Sequence, residues 1–295
     1  MANGDCSLLS SSTVVVNTYP FSFKVSSDFS FVLDNLSSIY SARLLSESSH
    51  ADFNVSISLP RIYGAPLLNR ALFNLDGFSP FTRGPKEHSC ALLEWGMNWC
   101  VSQYATDRLV VHAACVARSD KGIILSGDSG SGKSTLSCAL MHSSYRLLTD
   151  ELTLINLKDN LVTPFVRPVS LKDGAIDVIK NLYSESVLGK VAENTHKGSV
   201  GHCRPTDDSW SNMRESATIA NILFPKYDNT CSNLSVRIVE PLEALSRLVE
   251  QSFNIHILGA QAIRSLQYIC ENASAYEIRY SHTQDAIEFV NSLYE

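Results

Sequence analysis

A glycine-rich loop caught between a strand and a helix constrains this chain more than any other feature. The segment Gly127-Asp128-Ser129-Gly130-Ser131-Gly132-Lys133-Ser134-Thr135 reads G-x-x-x-x-G-K-S. Gly122 to Ser126, just before it, is an apolar run of strand length. In Leu136 to Met141, just after it, Leu136, Ala139 and Leu140 recur at helical spacing. Strand, loop and helix in this order are the context in which such a loop cradles phosphate. Glycines let the backbone turn tightly and bring its N–H groups against anionic oxygens, and the helix start adds the positive end of its dipole. Lys133 is the charge for the β- and γ-phosphates, the Ser134 hydroxyl the ligand for Mg²⁺, and Thr135 a weaker candidate for the same region. The expectation is nucleotide binding by residues 127–135 in a mixed α/β chain.

Acids complete the pattern. Tyr145 to Thr149 is a short apolar strand ending in Asp150-Glu151, 15 residues beyond Thr135. Open α/β sheets present their chemistry at the carboxyl ends of strands, and phosphoryl transfer needs an acid there to hold Mg²⁺ or to take a proton from the attacking hydroxyl. No guanine-reading Asn/Thr-Lys-x-Asp motif follows, so a GTPase switch is not expected.

The surrounding chain reads as two parts. Residues 1–88 are rich in Ser and in β-branched or aromatic residues, and form a β-rich N-terminal module. Thr13–Val16, Phe21–Val25, Phe53–Leu59 and Ala71–Leu75 are its strands, with a helical turn or two between Leu33 and Leu45. This module packs on the rest or makes an oligomer contact. Residues 89–295 form the larger domain. It begins with a helix over Ala91–Tyr104, with Trp95 and Trp99 buried on one face, and continues with a strand over Leu109–Val116 interrupted by His112. Beyond the acids come a hairpin about Lys158-Asp159-Asn160 and a helix from Asp173 to Tyr183. A polar stretch over 189–216 is too long for a plain connection, and its cations could clamp phosphates. Strands at Ile219–Phe224, Leu234–Val239 and Tyr276–Tyr280 alternate with helices starting at Pro241, Gly259 and Thr283, the last capped by Thr283.

Composition excludes some functions. A net charge of −6 over 295 residues argues against a nucleic-acid or membrane-surface binder. The eight cysteines form no C-x-x-C pair, which favours reduced, buried thiols over a zinc site or a disulfide framework. Met1 to Val16 lacks the cationic start and apolar run of a leader, and no run has transmembrane length. The chain is expected in the cytoplasm.

Taken together, the strand with His112, the G-x-x-x-x-G-K-S loop and the Leu147-Leu148-Thr149-Asp150-Glu151 strand end resemble the HPr kinase/phosphorylase group, which shares its core with the phosphoenolpyruvate carboxykinases. Leu93-Glu94-Trp95-Gly96-Met97-Asn98-Trp99-Cys100, His112-Ala113-Ala114, Arg167-Pro168-Val169-Ser170-Leu171-Lys172, His196-Lys197-Gly198, His202-Cys203-Arg204-Pro205 and Ser252-Phe253-Asn254-Ile255-His256 bring it nearest to the branch called HPr-kinase-related kinase A. The resemblance covers roughly residues 90–295. It implies a P-loop HPr kinase/carboxykinase-like C-terminal domain and ATP- and Mg²⁺-dependent transfer to a serine-type hydroxyl of a protein or peptide. Lys133 and the loop amides would hold the phosphates, and Ser134, Asp150 and Glu151 the metal. Asp150 would be general base or Mg²⁺ partner, with Glu151 completing the acid pair and His112 close enough to tune Asp150, and Lys197 and Arg204 would approach the transferring group. A homo-oligomer is a further expected partner, through a contact of the N-terminal module. HPr kinases carry two aspartates where this chain has Asp150-Glu151, which leaves the roles of base and metal ligand open between them. The upstream module differs from that of the bacterial enzymes, so HPr itself is not implied as the acceptor. A small-metabolite hydroxyl kinase, and a nucleotide-responsive binding module without transfer, are the alternative readings.

Overall fold

The computed structural model describes residues 12–46 and 50–294. Cys6 and most of the segment read for a leader lie outside the described residues. The architecture is mixed α/β, built around two six-stranded sheets.

The first sheet runs in the order Leu45–Ser46, Ser12–Thr18, Phe21–Ser27, Phe53–Ser58, Arg70–Leu75, Gly84–Pro85. Only Phe21–Ser27 and Phe53–Ser58 pair in parallel, with Phe23 opposite Phe53. The helix Ser30–Ile39 crosses between them and buries Val32, Leu36 and Ile39. That is a full helix where the sequence suggested a turn or two, because a parallel pair needs a crossover that a hairpin cannot provide. The helix Ser89–Tyr104 lies against the same sheet, and a Cβ on its Gly96 would collide with the Phe73 ring. Leu92, Leu93, Met97, Cys100 and Val101 point into the core. Trp95 and Trp99, expected to be buried, are half-buried. Trp99 instead closes an aromatic cluster with Phe78, Phe81 and Tyr104.

The second sheet runs Arg146–Thr149, Ala113–Arg118, Lys121–Ser126, Thr218–Tyr227, Ser274–Tyr280, Ser235–Ile238. Lys121–Ser126, Thr218–Tyr227 and Ser274–Tyr280 are parallel neighbours, and the outer strands are antiparallel. Alternation along its strands feeds two cores. Ala114, Val116, Ile123 and Leu125 pack on the helices Lys133–His142 and Thr283–Ser292. Ala113, Cys115, Ala117 and Ile124 pack on Pro241–Glu250 and Ala260–Asn272.

Other expectations change in detail. The strand expected over Leu109–Val116 breaks at His112 into Arg108–Val111 and Ala113–Arg118, which belong to different sheets. The His112 N–H leaves the ladder to donate to Gln251 O at 2.8 Å. The polar stretch 189–216 is not a structureless loop: it forms the hairpin Ala192–Thr195/Gly198–Cys203, paired to Val169–Lys172, and then the short helix Asp207–Ser211. Thr283 is the first residue of its helix and His282 occupies the cap position, with no side-chain cap bond. The seven described cysteines are free. Among the described residues no helix is long and apolar enough to cross a membrane.

Candidate functional site

The strand Lys121–Ser126 ends in the glycine-rich loop, and the helix Lys133–His142 leaves it. Gly132 has φ +97°, and a Cβ there would meet the Tyr280 hydroxyl at 2.7 Å, so the sequence has no alternative to glycine. Lys133 is 8% exposed, and its Nζ donates to Gly127 O at 2.6 Å and Asp128 O at 2.9 Å. Burial lowers its pKa, opposed by the charges of Glu151 and Asp150. The cation is therefore held over its own loop and faces the two acids.

Those acids follow the edge strand Arg146–Thr149, which runs in the same direction as the loop strand with Ala113–Arg118 between them. Asp150 is 5% exposed. Its Oδ1 accepts from Ser137 Oγ at 3.0 Å, and its Oδ2 accepts from Ser170 N at 2.9 Å. Burial, and then the neighbouring Glu151 charge, push its pKa up to about 7 against the hydrogen bonds from Ser170, Ser137 and Ser134. Glu151 goes the other way. Burial opposes its ionisation, but the His112 bond and the charges of His112, Lys172 and Lys197 prevail and hold it at about 2.

His112 bonds Glu151, the neighbour whose charge acts on Asp150. Its Nε2 lies 3.2 Å from Glu151 Oε2, and its Nδ1 lies 3.3 Å from Gln251 Oε1. The cause is geometric: consecutive residues leave the strand end on different sides, and Asp150 turns toward the loop helix while Glu151 turns toward the break at His112.

A cavity of about 490 Å³ brings these groups together. Ser129, Gly130, Gly132, Lys133, Ser134 and Thr135 border it, as do Asp150, Glu151, His112 and Lys197. Gly127, Asp128 and Ser131 shape the loop from behind. Arg204 does not reach the cavity; its guanidinium lies 3.7 Å from Asp207.

Lys197 arrives from the hairpin tip. Asp173 Oδ1 accepts from Ser199 N at 2.8 Å, and a Cβ on Gly198 would sit 2.3 Å from that same oxygen. Only glycine at 198, with φ +83°, lets the tip dock on Asp173 and carry Lys197 to the cavity. The Lys197 ammonium also lies 5.1 Å over the Trp95 ring. Burial lowers its pKa, with the Glu151 charge in opposition.

Sequence reasoning missed Ser170, Lys172, Asp173, Tyr227, Tyr280 and Thr283, which also border the cavity. Tyr227 and Tyr280 meet edge to face, with centroids 6.0 Å apart. Tyr227 ends the parallel strand beside the loop strand and Tyr280 the next parallel strand out, and strand order was the missing signal. Behind the acids lies another missed feature. Arg167 forms a close ion pair with Glu94, donates to Asn98 Oδ1, and reaches Tyr40 Oη at 3.2 Å. Arg167 and Glu94 are both buried. The pair fixes the start of the segment whose Ser170 N–H binds Asp150.

The residue set fits a phosphate-bearing ligand with a hard divalent cation. The Ser170 and Tyr280 hydroxyls, on residues that border the cavity, are buried and make no hydrogen bond within the protein. The Ser134, Asp150 and Glu151 oxygens are the donor type Mg²⁺ prefers.

No protein-family model matches the chain, and no curated protein matches it. Among solved structures, the HPr(Ser) kinase/phosphatase from Coxiella burnetii is similar over 62% of this chain and 87% of that one. The identity is 13% and the TM-score 0.29.

Proposed function

We propose that this protein is an ATP- and Mg²⁺-dependent kinase that transfers a phosphoryl group to a serine-type hydroxyl of a protein or peptide. One observation carries the reading: the Lys133-Ser134 helix start and the Asp150-Glu151 strand end face a single cavity, with the two acids pushed in opposite directions. Environments that separate two neighbouring carboxyls assign their roles. Asp150, near 7, is poised to accept the proton of an attacking hydroxyl at working pH, and Glu151, ionised throughout, is the standing charge for a cation.

Lys133 and the amides of residues 129–135 bind the phosphates. Ser134, Glu151 and Asp150 would hold Mg²⁺, which would supply neutralisation of phosphate charge. The acceptor oxygen attacks the γ-phosphorus, its proton passes to Asp150, and the β–γ bridging bond breaks to release ADP. Lys197 and Lys172 offset the charge that spreads over the transferring oxygens. Tyr227 and Tyr280 wall the loop side of the cavity.

The test is transfer from γ-labelled ATP with Mg²⁺ to an extract of the source cell, with parent, Lys133→Ala and Asp150→Asn proteins side by side. Label on a macromolecule with the parent alone is expected. Label confined to small molecules would replace the protein acceptor by a metabolite. Nucleotide binding without any transfer would overturn the kinase reading.

A further inference from the structure

Away from the cavity, the same helix carries a second cluster. Cys138 and His142 are four residues apart and so share one face of Lys133–His142. Cys203 ends the strand Gly198–Cys203 and comes up against them from 61 residues away. The two sulfurs and an imidazole nitrogen all lie within 4.8 Å of one another, with Cys203 Sγ 3.8 Å from His142 Nε2. We propose that Cys138, His142 and Cys203 bind one zinc-class divalent cation, with water as the fourth ligand.

The chemistry favours such an ion. Two thiolates and an imidazole suit a borderline-soft tetrahedral cation and exclude Mg²⁺, which demands oxygen. Zn–S of about 2.3 Å and Zn–N of about 2.0–2.1 Å place tetrahedral sulfurs about 3.8 Å apart and sulfur and nitrogen about 3.5 Å apart. A contraction of a few tenths of an ångström at Cys203 and His142, and of up to about 1 Å elsewhere, meets that geometry. Two thiolates cancel the charge of the ion, which suits a buried location.

The orientation is built in. The His142 ring stacks on Tyr183, with centroids 4.8 Å apart and planes at 23°. Tyr183 is itself fixed, donating to Ala139 O at 3.0 Å and meeting Ser143 Oγ at 2.6 Å. Both sulfurs are fully buried, whereas His142 is half-buried, so water reaches the cluster from the imidazole side. Binding displaces the thiol protons of Cys138 and Cys203 to solvent as the two sulfur–metal bonds form. Occupancy would join the loop helix to the hairpin that carries Lys197.

The test is titration of the reduced, metal-free protein with Co²⁺, in the absence of nucleotide and Mg²⁺, so that it stands apart from the kinase reading. One equivalent should give a thiolate-to-cobalt band in the near ultraviolet and the intense visible bands of a tetrahedral ion, both bleached by Zn²⁺. Cys138→Ser and Cys203→Ser should each weaken the ultraviolet band, and the double cysteine variant carrying both should abolish it. His142→Gln, on the half-exposed side and so safe for folding, should keep that band but weaken binding by at least about 10- to 100-fold, the loss an orienting partner alone can cause. Three outcomes would overturn the proposal: no band in the reduced parent, a full band in the double cysteine variant, or a Cys138–Cys203 disulfide in a protein that takes up no metal after reduction.

Discussion

Asp150→Asn tests whether the fold forces a carboxyl into a place where it resists ionisation. The carboxyl is raised from 3.8 to about 7. A group raised on folding contributes fully below its unfolded value, and that contribution is lost as pH rises toward and through the folded one. The window is therefore about pH 4 to 8. About three pKa units correspond to roughly 4 kcal/mol in all, of which about 2–3 kcal/mol should disappear between pH 5 and 8. Glu151 moves in the opposite sense, from 4.5 to about 2, and its effect is confined below pH 4.5. The asparagine fits. Its carbonyl can accept from Ser170 N while its amide donates to Ser137 Oγ, whose proton turns to Ser134 O 3.2 Å away. Denaturant titrations in EDTA at pH 5, 6, 7 and 8 would give both stability profiles. The parent should lose stability relative to the variant as pH rises, and Mg²⁺ at pH 8 should restore more to the parent. Parallel profiles within about 0.5 kcal/mol would refute the claim that burial governs this carboxyl.

Two further substitutions probe how the site is held. Arg167→Met leaves Glu94 buried without its cation, and should cost about 3–5 kcal/mol in denaturant unfolding; adding Glu94→Gln should recover part of that loss, and a cost below about 1 kcal/mol for the single variant would mean the pair is not buried in solution. Gly198→Ala puts a methyl against Asp173 and must push the hairpin tip away, so turnover should fall by about tenfold or more while Mg²⁺-free ATP affinity holds, as when positioning alone is lost; an unchanged kcat would remove Lys197 from the transfer step.

How much of this was legible in the sequence depended on whether the signal was local. The glycine-rich loop, its flanking strand and helix, and the acid pair are set by neighbours a few residues apart, and the structure brings them to one cavity. Period-two runs such as Phe53–Ser58 marked strands, yet nothing in them marked the parallel partner Phe21–Ser27. Charge identity was a weaker guide. Lys197 and Arg204 sit seven positions apart in the same polar stretch, but only Lys197 is docked toward the cavity, through Gly198 and Asp173, while Arg204 turns to Asp207. Tyr280 reaches Gly132 across two strand pairings, and Cys203 meets Cys138 across 65 positions. Long-range register of this kind is written into no single window.

The orphaned hydroxyls connect the fold to its chemistry. Leaving a polar group buried without a partner costs about 1–3 kcal/mol each, and Ser170 and Tyr280 both border the cavity. Neither is an accident of loose packing, since Tyr280 is 1% exposed and pressed against Gly132, and Ser170 sits on the backbone that anchors Asp150. An apolar ligand would leave that cost standing, and a cation would satisfy only their oxygen lone pairs. An anion rich in acceptor oxygens can take both hydroxyl protons at once, in the same space that the loop amides and Lys133 already face. Donors desolvated in advance would meet an arriving anion with no further rearrangement. On this reasoning Tyr280→Phe should gain stability in the free protein and lose affinity for nucleotide, two opposite signs that a purely structural tyrosine would not produce.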